Sequence, residues 1–178
     1  MGTWGIGVTE NDSAMDIIYE IEDEKDLAII IRKLIQIINL NDNGEYIDFD
    51  LATESLVVIE IVTVLLQGVS ENLTPQLNKW LLKKTHGDKN IISIMNEIMD
   101  LLNLMDTPLF EDSEDTWLTA TYNQKWNYCL LYLQTISFEA IEIVLNNSEL
   151  MELWKESEKY DEWIKNVEEI KRRLNSKE

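Results

Sequence analysis

One cysteine, one histidine and two prolines occur in the 178 residues, and fifteen basic side chains face thirty-four acidic ones. A lone Cys129 permits no intramolecular disulfide, and its setting beside Leu130 and Leu131 among aromatic residues reads as core packing. The single His86, just ahead of Gly87, reads as a capping or surface residue. Lys83 stands three positions before it, where a metal-binding bundle carries glutamate in its Glu-x-x-His pattern. No GxSxG, CxxC, HExxH or P-loop pattern occurs, so the usual nucleophile, metal cage and phosphate cradle are absent as motifs. The shortage of cations speaks against nucleic acid, because such binders displace phosphate counterions with lysine and arginine. Nor is there a long apolar run. The longest, Leu56 to Leu66, is too short to cross a bilayer and carries Glu60 near its middle. No secretory leader opens the chain, and Ile6 occupies the position where myristoylation at Gly2 needs Ser or Thr. A cytoplasmic protein with neither nucleic-acid nor membrane partners is expected.

What is present begins with the opening: Gly2, Trp4, Gly5 and Gly7, followed by Asn11 and Asp12. The glycines permit backbone angles or close approaches that a Cβ would block. Trp4 gains by burying a large apolar surface, while Asn11 and Asp12 are good N-cap residues for the periodic run that follows. The segment therefore reads as a clasp that inserts Trp4 into a helical body and launches the first helix. Gly2, Trp4, Gly5, Gly7, Asn11, Asp12, Ala14 and Asp16 match the G-x-W-G-x-G-x-F-x-N-D-x-A-x-D opening of a bacterial domain of unknown function, family 4259, which this chain resembles. Thr9 stands where that family usually has an aromatic residue. The likeness resumes weakly at 52–68, at Pro75 to Trp80 and from Ser148 to Trp154, and leaves 88–147 unplaced. The resemblance implies a small cytoplasmic bacterial protein, and some such proteins sit beside toxin genes.

Helical spacing then recurs along the chain. Ala14, Ile17, Ile18 and Ile21 predict a helix over about 12–22, and Leu27 to Ile38 a second with a wide apolar face, ending in the turn formers Asn39 to Gly44. In that turn Asn39, Asn41, Asn43, Gly44 and Asp50 fall at EF-hand positions, but the first and last ligands are the wrong types and Ile47 takes the ninth place, so a plain helix-connecting loop is the competing reading. Leu51 to Val69 is β-branched yet too long for a buried strand, and reads as a central helix with a polar stripe of Thr53, Glu60, Thr63 and Gln67. Glu60 is expected on that stripe in solvent; burial would make it a site candidate instead. Thr74 with Pro75 opens the next helix, Asp88 a methionine-rich one, and Trp117 to Tyr132 an aromatic one. Ser137 is expected to cap a separate short helix, and Ser148 another. Tyr160, Trp163, Val167, Ile170 and Leu174 then form a narrow seam that must dock on the body or on a second subunit, with Asp161–Lys165, Glu168–Arg172 and Glu169–Arg173 as outward i,i+4 pairs. The expected architecture is an all-α, single multi-helix bundle of about seven or eight helices.

The charge of −19 concentrates where Glu111, Asp112, Glu114 and Asp115 follow Pro108, with no lysine or arginine between Lys89 and Lys125. Such a field suits a cationic protein surface. The leading expectation is a non-catalytic acidic binding protein of immunity or antitoxin type, with these four as contact residues for a basic partner such as a toxin nuclease domain, and no cofactor. Two alternatives stand beside it. One is a structural helical protein that self-associates as a homodimer through the C-terminal seam; the other is a carboxylate-based metal enzyme.

Overall fold

A computed structural model of the chain describes residues 5–24, 28–84 and 122–175. These form an all-α bundle of seven helices: α1 (Asp12–Glu24), α2 (Ala28–Asp42), α3 (Phe49–Gln67), α4 (Pro75–Lys84), α5 (Tyr122–Asn146), α6 (Glu149–Lys155) and α7 (Tyr160–Asn175). An isolated parallel β-bridge joins Ile47 and Ser148.

The bundle is built around α3. Fifteen of its 19 residues are buried, and it touches every other described helix. Burial on all sides explains why a run so rich in valine and isoleucine is helical: packing outweighs β-propensity when the segment has neighbours all round. Its ends are chemically marked. The Leu51 N–H donates to Asp48 Oδ1 at 2.8 Å, and Gly68, at φ 99°, closes the helix with its N–H on the Val64 carbonyl. Glycine is required there because an L side chain is strained at that angle.

Around α3, helices α1 and α2 contribute Ile17, Ile18, Ile21, Ile30, Ile31, Leu34 and Ile37 to the core. The predicted seam of the last helix docks on the body: Trp163, Val167, Ile170 and Leu174 are buried, and α7 packs on α3, α5 and α6. The expected separate helix after Ser137 does not exist. Helix α5 runs unbroken for 25 residues through Ser137, which is buried mid-helix. No proline or glycine occurs between 122 and 146, so nothing interrupts the i→i−4 ladder, and a serine alone does not. By length and composition α5 could also cross a membrane over Gln124–Asn146, but half of that window is buried inside the bundle.

The turn between α2 and α3 is tied to the turn between α5 and α6. Ile47 N–H donates to the Asn147 carbonyl at 3.2 Å and the Ile47 carbonyl accepts from Glu149 N–H at 2.9 Å, while Asn147 Nδ2 donates to the Glu45 carbonyl and to Asn41 Oδ1. Ser148 sits at the centre of this junction. Its Oγ accepts from Met151 N–H as the cap of α6 and donates to the Val144 carbonyl at 2.6 Å. Ser148→Ala removes both bonds and is expected to cost about 1–2 kcal/mol, seen as a lower denaturation midpoint at unchanged m-value.

Candidate functional site

Of the opening motif, Gly2 and Trp4 lie outside the described residues. Gly5 to Asp12 form a tight clasp. Glu10 N–H donates to the Gly7 carbonyl at 3.0 Å, and Gly7 N–H donates back to Glu10 Oε2 at 2.7 Å. A Cβ at Gly5 would stand 2.1 Å from that same oxygen, so any other residue there would displace the Glu10 carboxylate from this bond. Asn11 Oδ1 accepts from Ala14 N–H at 2.8 Å, which makes Asn11 the cap of α1, with Asp12 exposed in the first turn where the helix dipole favours it. Three further contacts hold the clasp down. Val8 is buried, Asn166 Nδ2 donates to the Ile6 carbonyl, and Thr9 Oγ1 donates to the Asn72 carbonyl at 2.8 Å. Beneath it Trp154 and Trp163 stack at 5.6 Å with an 11° interplanar angle.

Glu60 is not on a solvated stripe. It is fully buried, as are Thr53 and Thr63, and only Gln67 of the predicted stripe is exposed. The reason is tertiary: the loop after α3 folds back over this face, and the end of α7 closes it. Glu60 forms an ion pair with Arg173 and accepts from Ser70 Oγ and Asn72 Nδ2. Asn78 completes the network, its Oδ1 taking Ser70 N–H and its Nδ2 donating to the Ser70 and Leu73 carbonyls. Arg173 therefore serves Glu60 rather than the predicted Glu169. Glu169 instead pairs with Arg172 at i,i+3, which holds its carboxyl below the usual range, mainly through that hydrogen bond. The loop so fixed forms one wall of an open apolar groove with Val69, Leu73, Pro75 and Leu82 along it and Glu71 and Lys79 at its edges.

The predicted contact residues Glu111, Asp112, Glu114 and Asp115 lie outside the described residues, as do His86 and the methionine-rich stretch. Within the described residues the uncompensated negative surface is on α1. Seven acidic and no basic side chains occur from Glu10 to Glu24. Asp12, Asp16, Glu20 and Asp23 step by three and four along the outer face, all exposed, with Tyr19 among them at 58% exposure. No ion pair engages any of these four among the described residues. By contrast, the acids of α7 and the turn before it are interleaved with Lys155, Lys159, Lys165, Lys171 and Arg172. In the sequence the α1 stripe is marked by acidic residues at helical spacing opposite Ala14, Ile17 and Ile21.

The EF-hand spacing does not form a cage. Asn39 and Asn41 belong to α2, Asp48 caps α3, and Asp50 lies inside α3, where its Oδ1 accepts from Ser13 Oγ at 2.5 Å. No group of three potential metal ligands occurs among the described residues. Cys129 is buried, which pushes its thiol up to about 12 and keeps it protonated.

A family model described as "Domain of unknown function (DUF4259)" matches residues 2–166, spanning the middle of the chain as well as the opening motif. No curated protein and no solved structure matches this chain.

Proposed function

We propose, for a chain that belongs to the DUF4259 family of unknown function, the role of a non-catalytic acidic binding protein of immunity or antitoxin type, which neutralises a basic protein partner such as a toxin nuclease domain. The observation that carries this reading is the α1 face: four carboxylates in register, exposed, without a described counter-charge, around an exposed tyrosine. Holding like charges in one stripe is unfavourable for the free protein, and a cationic partner relieves it. A tyrosine inside the stripe adds rigid apolar contact area of the kind that concentrates binding energy. Glu111, Asp112, Glu114 and Asp115 stand in this proposal as further candidate contact residues. Association of this kind is fast, steered and steeply salt-dependent.

Self-association through the C-terminal seam is the less favoured alternative, because Trp163, Val167, Ile170 and Leu174 are already buried within the chain. A dimer using them would have to detach α7.

The test is binding to the product of a neighbouring toxin-like reading frame, measured by calorimetry at low and high salt. The variant Asp16→Lys/Glu20→Lys is expected to weaken binding at least about tenfold at low salt and to flatten the salt dependence. Glu158→Lys, in the charge-balanced turn before α7, serves as the control. Binding indifferent to both salt and α1 reversal would remove the proposal, as would a genome neighbourhood with no such frame.

A further inference from the structure

The geometry points to Asn43 as a site of self-modification: its side-chain amide converts to an acid through Gly44, at a rate controlled by the end of α2. Asn43–Gly44 is the one Asn–Gly step in the sequence. It lies in the turn after α2, and both residues are exposed. The Asn43 carboxamide makes no hydrogen bond among the described residues, so none holds it away from the main chain. Gly44 has no side chain to screen its nitrogen, and the space beside it is open: an added Cβ would meet nothing within 4 Å. The Gly44 nitrogen, once solvent base has taken its proton, attacks Asn43 Cγ. A C–N bond forms, the bond to Nδ2 breaks, and ammonia leaves with a proton from solvent. Water then opens the cyclic imide at either carbonyl, leaving aspartate or isoaspartate at 43. Nothing is oxidised or reduced, and water is the co-reactant.

The fold adds a brake on the attacking nitrogen. Gly44, at φ 75°, ends α2 in a Schellman cap: its N–H donates to the Asn41 carbonyl and Glu45 N–H to the Leu40 carbonyl, each at 2.9 Å. A nitrogen engaged in this way keeps its proton and points it away from Cγ, so ring closure waits until the cap opens. The cap is tied from outside. Asn147, in the turn between α5 and α6, donates from Nδ2 to the Glu45 carbonyl and to Asn41 Oδ1, both at 3.0 Å. Two hydrogen bonds of ordinary net strength slow a reaction that must first break them by about ten- to a hundredfold. The products fit the cap poorly. Isoaspartate lengthens the main chain inside it, and either acid adds a negative charge beside Asp42 at the negative end of the α2 dipole.

The test holds the full chain at mildly alkaline pH, folded or unfolded in urea, and follows acid at 43 by peptide mass mapping. Isoaspartate is counted separately by enzymatic methylation. The folded protein is expected to convert at Asn43 before any other asparagine, about ten- to a hundredfold more slowly than the unfolded chain. Asn147→Ala, shown by circular dichroism to be folded, should convert about three- to tenfold faster than folded wild type, because it removes both ties. Converted protein should melt about 2–4 °C below unconverted protein. The inference is overturned if the folded protein converts as fast as the unfolded chain, or first at another asparagine. It is equally overturned if no acid appears at 43 after about a hundred half-lives of the unfolded chain, or if folded Asn147→Ala reacts no faster than wild type. Should that variant not fold, the comparison of folded with unfolded wild type decides. None of these outcomes bears on whether α1 binds a basic partner.

Discussion

Arg173→Met is expected to lower the melting temperature by on the order of 10 °C, from the loss of about 3 kcal/mol in a chain of this size. The basis is the position of Glu60, with no exposure on the most buried helix of the bundle. Its carboxylate keeps two donors, Ser70 and Asn72, when the guanidinium is removed, but it loses its counter-charge in a place water does not reach. The side chain of Arg173 remains 20% exposed, so the loss falls at the lower end of what a fully enclosed pair shows. The double variant Glu60→Leu/Arg173→Met should be clearly more stable than Arg173→Met alone, because the penalty comes from stranding a charge rather than from losing an attraction. Hydrogen exchange supplies a second reading: amides at Ser70 and Leu77, held by Asn78 and Thr74, should exchange faster in Arg173→Met. A single variant within 2 °C of wild type, or a double variant less stable than the single, would show that the ion pair does not hold this loop.

Trp163→Ala should have a comparable effect, a loss of about 3–5 kcal/mol. Trp163 is 2% exposed, stacks on Trp154 and lines a small void together with Gly5, Gly7 and Leu56. Truncation opens a cavity the size of an indole and removes the stacked pair together, so relaxation of the surroundings cannot recover much of it. The effect should reach the opening motif. The clasp is held to α7 by the Asn166–Ile6 bond and rests on this tryptophan pair, so limited proteolysis is expected to cut within 5–11 in the variant before it cuts elsewhere. Trp163→Phe retains most of the buried area and should lose less than half as much stability. If cleavage in Trp163→Ala begins elsewhere, the clasp does not depend on α7.

Much of this architecture was legible from residues alone, and for local reasons. The apolar spacing of Ala14 to Ile21, and of Trp163 to Leu174, named the buried face of each helix correctly, because a 3.6-residue period has one inward side whatever it packs against. The caps at Thr74 and Ser148 were legible because a side-chain oxygen bonds an amide three residues on. Ser137 misled because a buried mid-helix serine and an N-cap serine look alike until the preceding residues are known to be helical. The stripe of Thr53, Glu60 and Thr63 misled for a related reason: polar residues at helical spacing look the same whether they face water or a polar loop. The candidate site was legible only in outline, as an excess of acid. Where acids crowd, the effect is visible at Glu139, whose carboxyl is raised by desolvation and by the charge of Asp42.

The amino-acid sequence by itself determined the helical class, the family, the sign of the surface and which side of most helices turns inward. These follow from composition and from contacts no more than four residues apart. Only the tertiary structure decided that Glu60 is buried and that Arg173 turns from its own helix to meet it 113 residues away. Each of these depends on two distant segments arriving at the same place, and the cost of an unmatched buried polar group, rather than any local preference, selects what meets there.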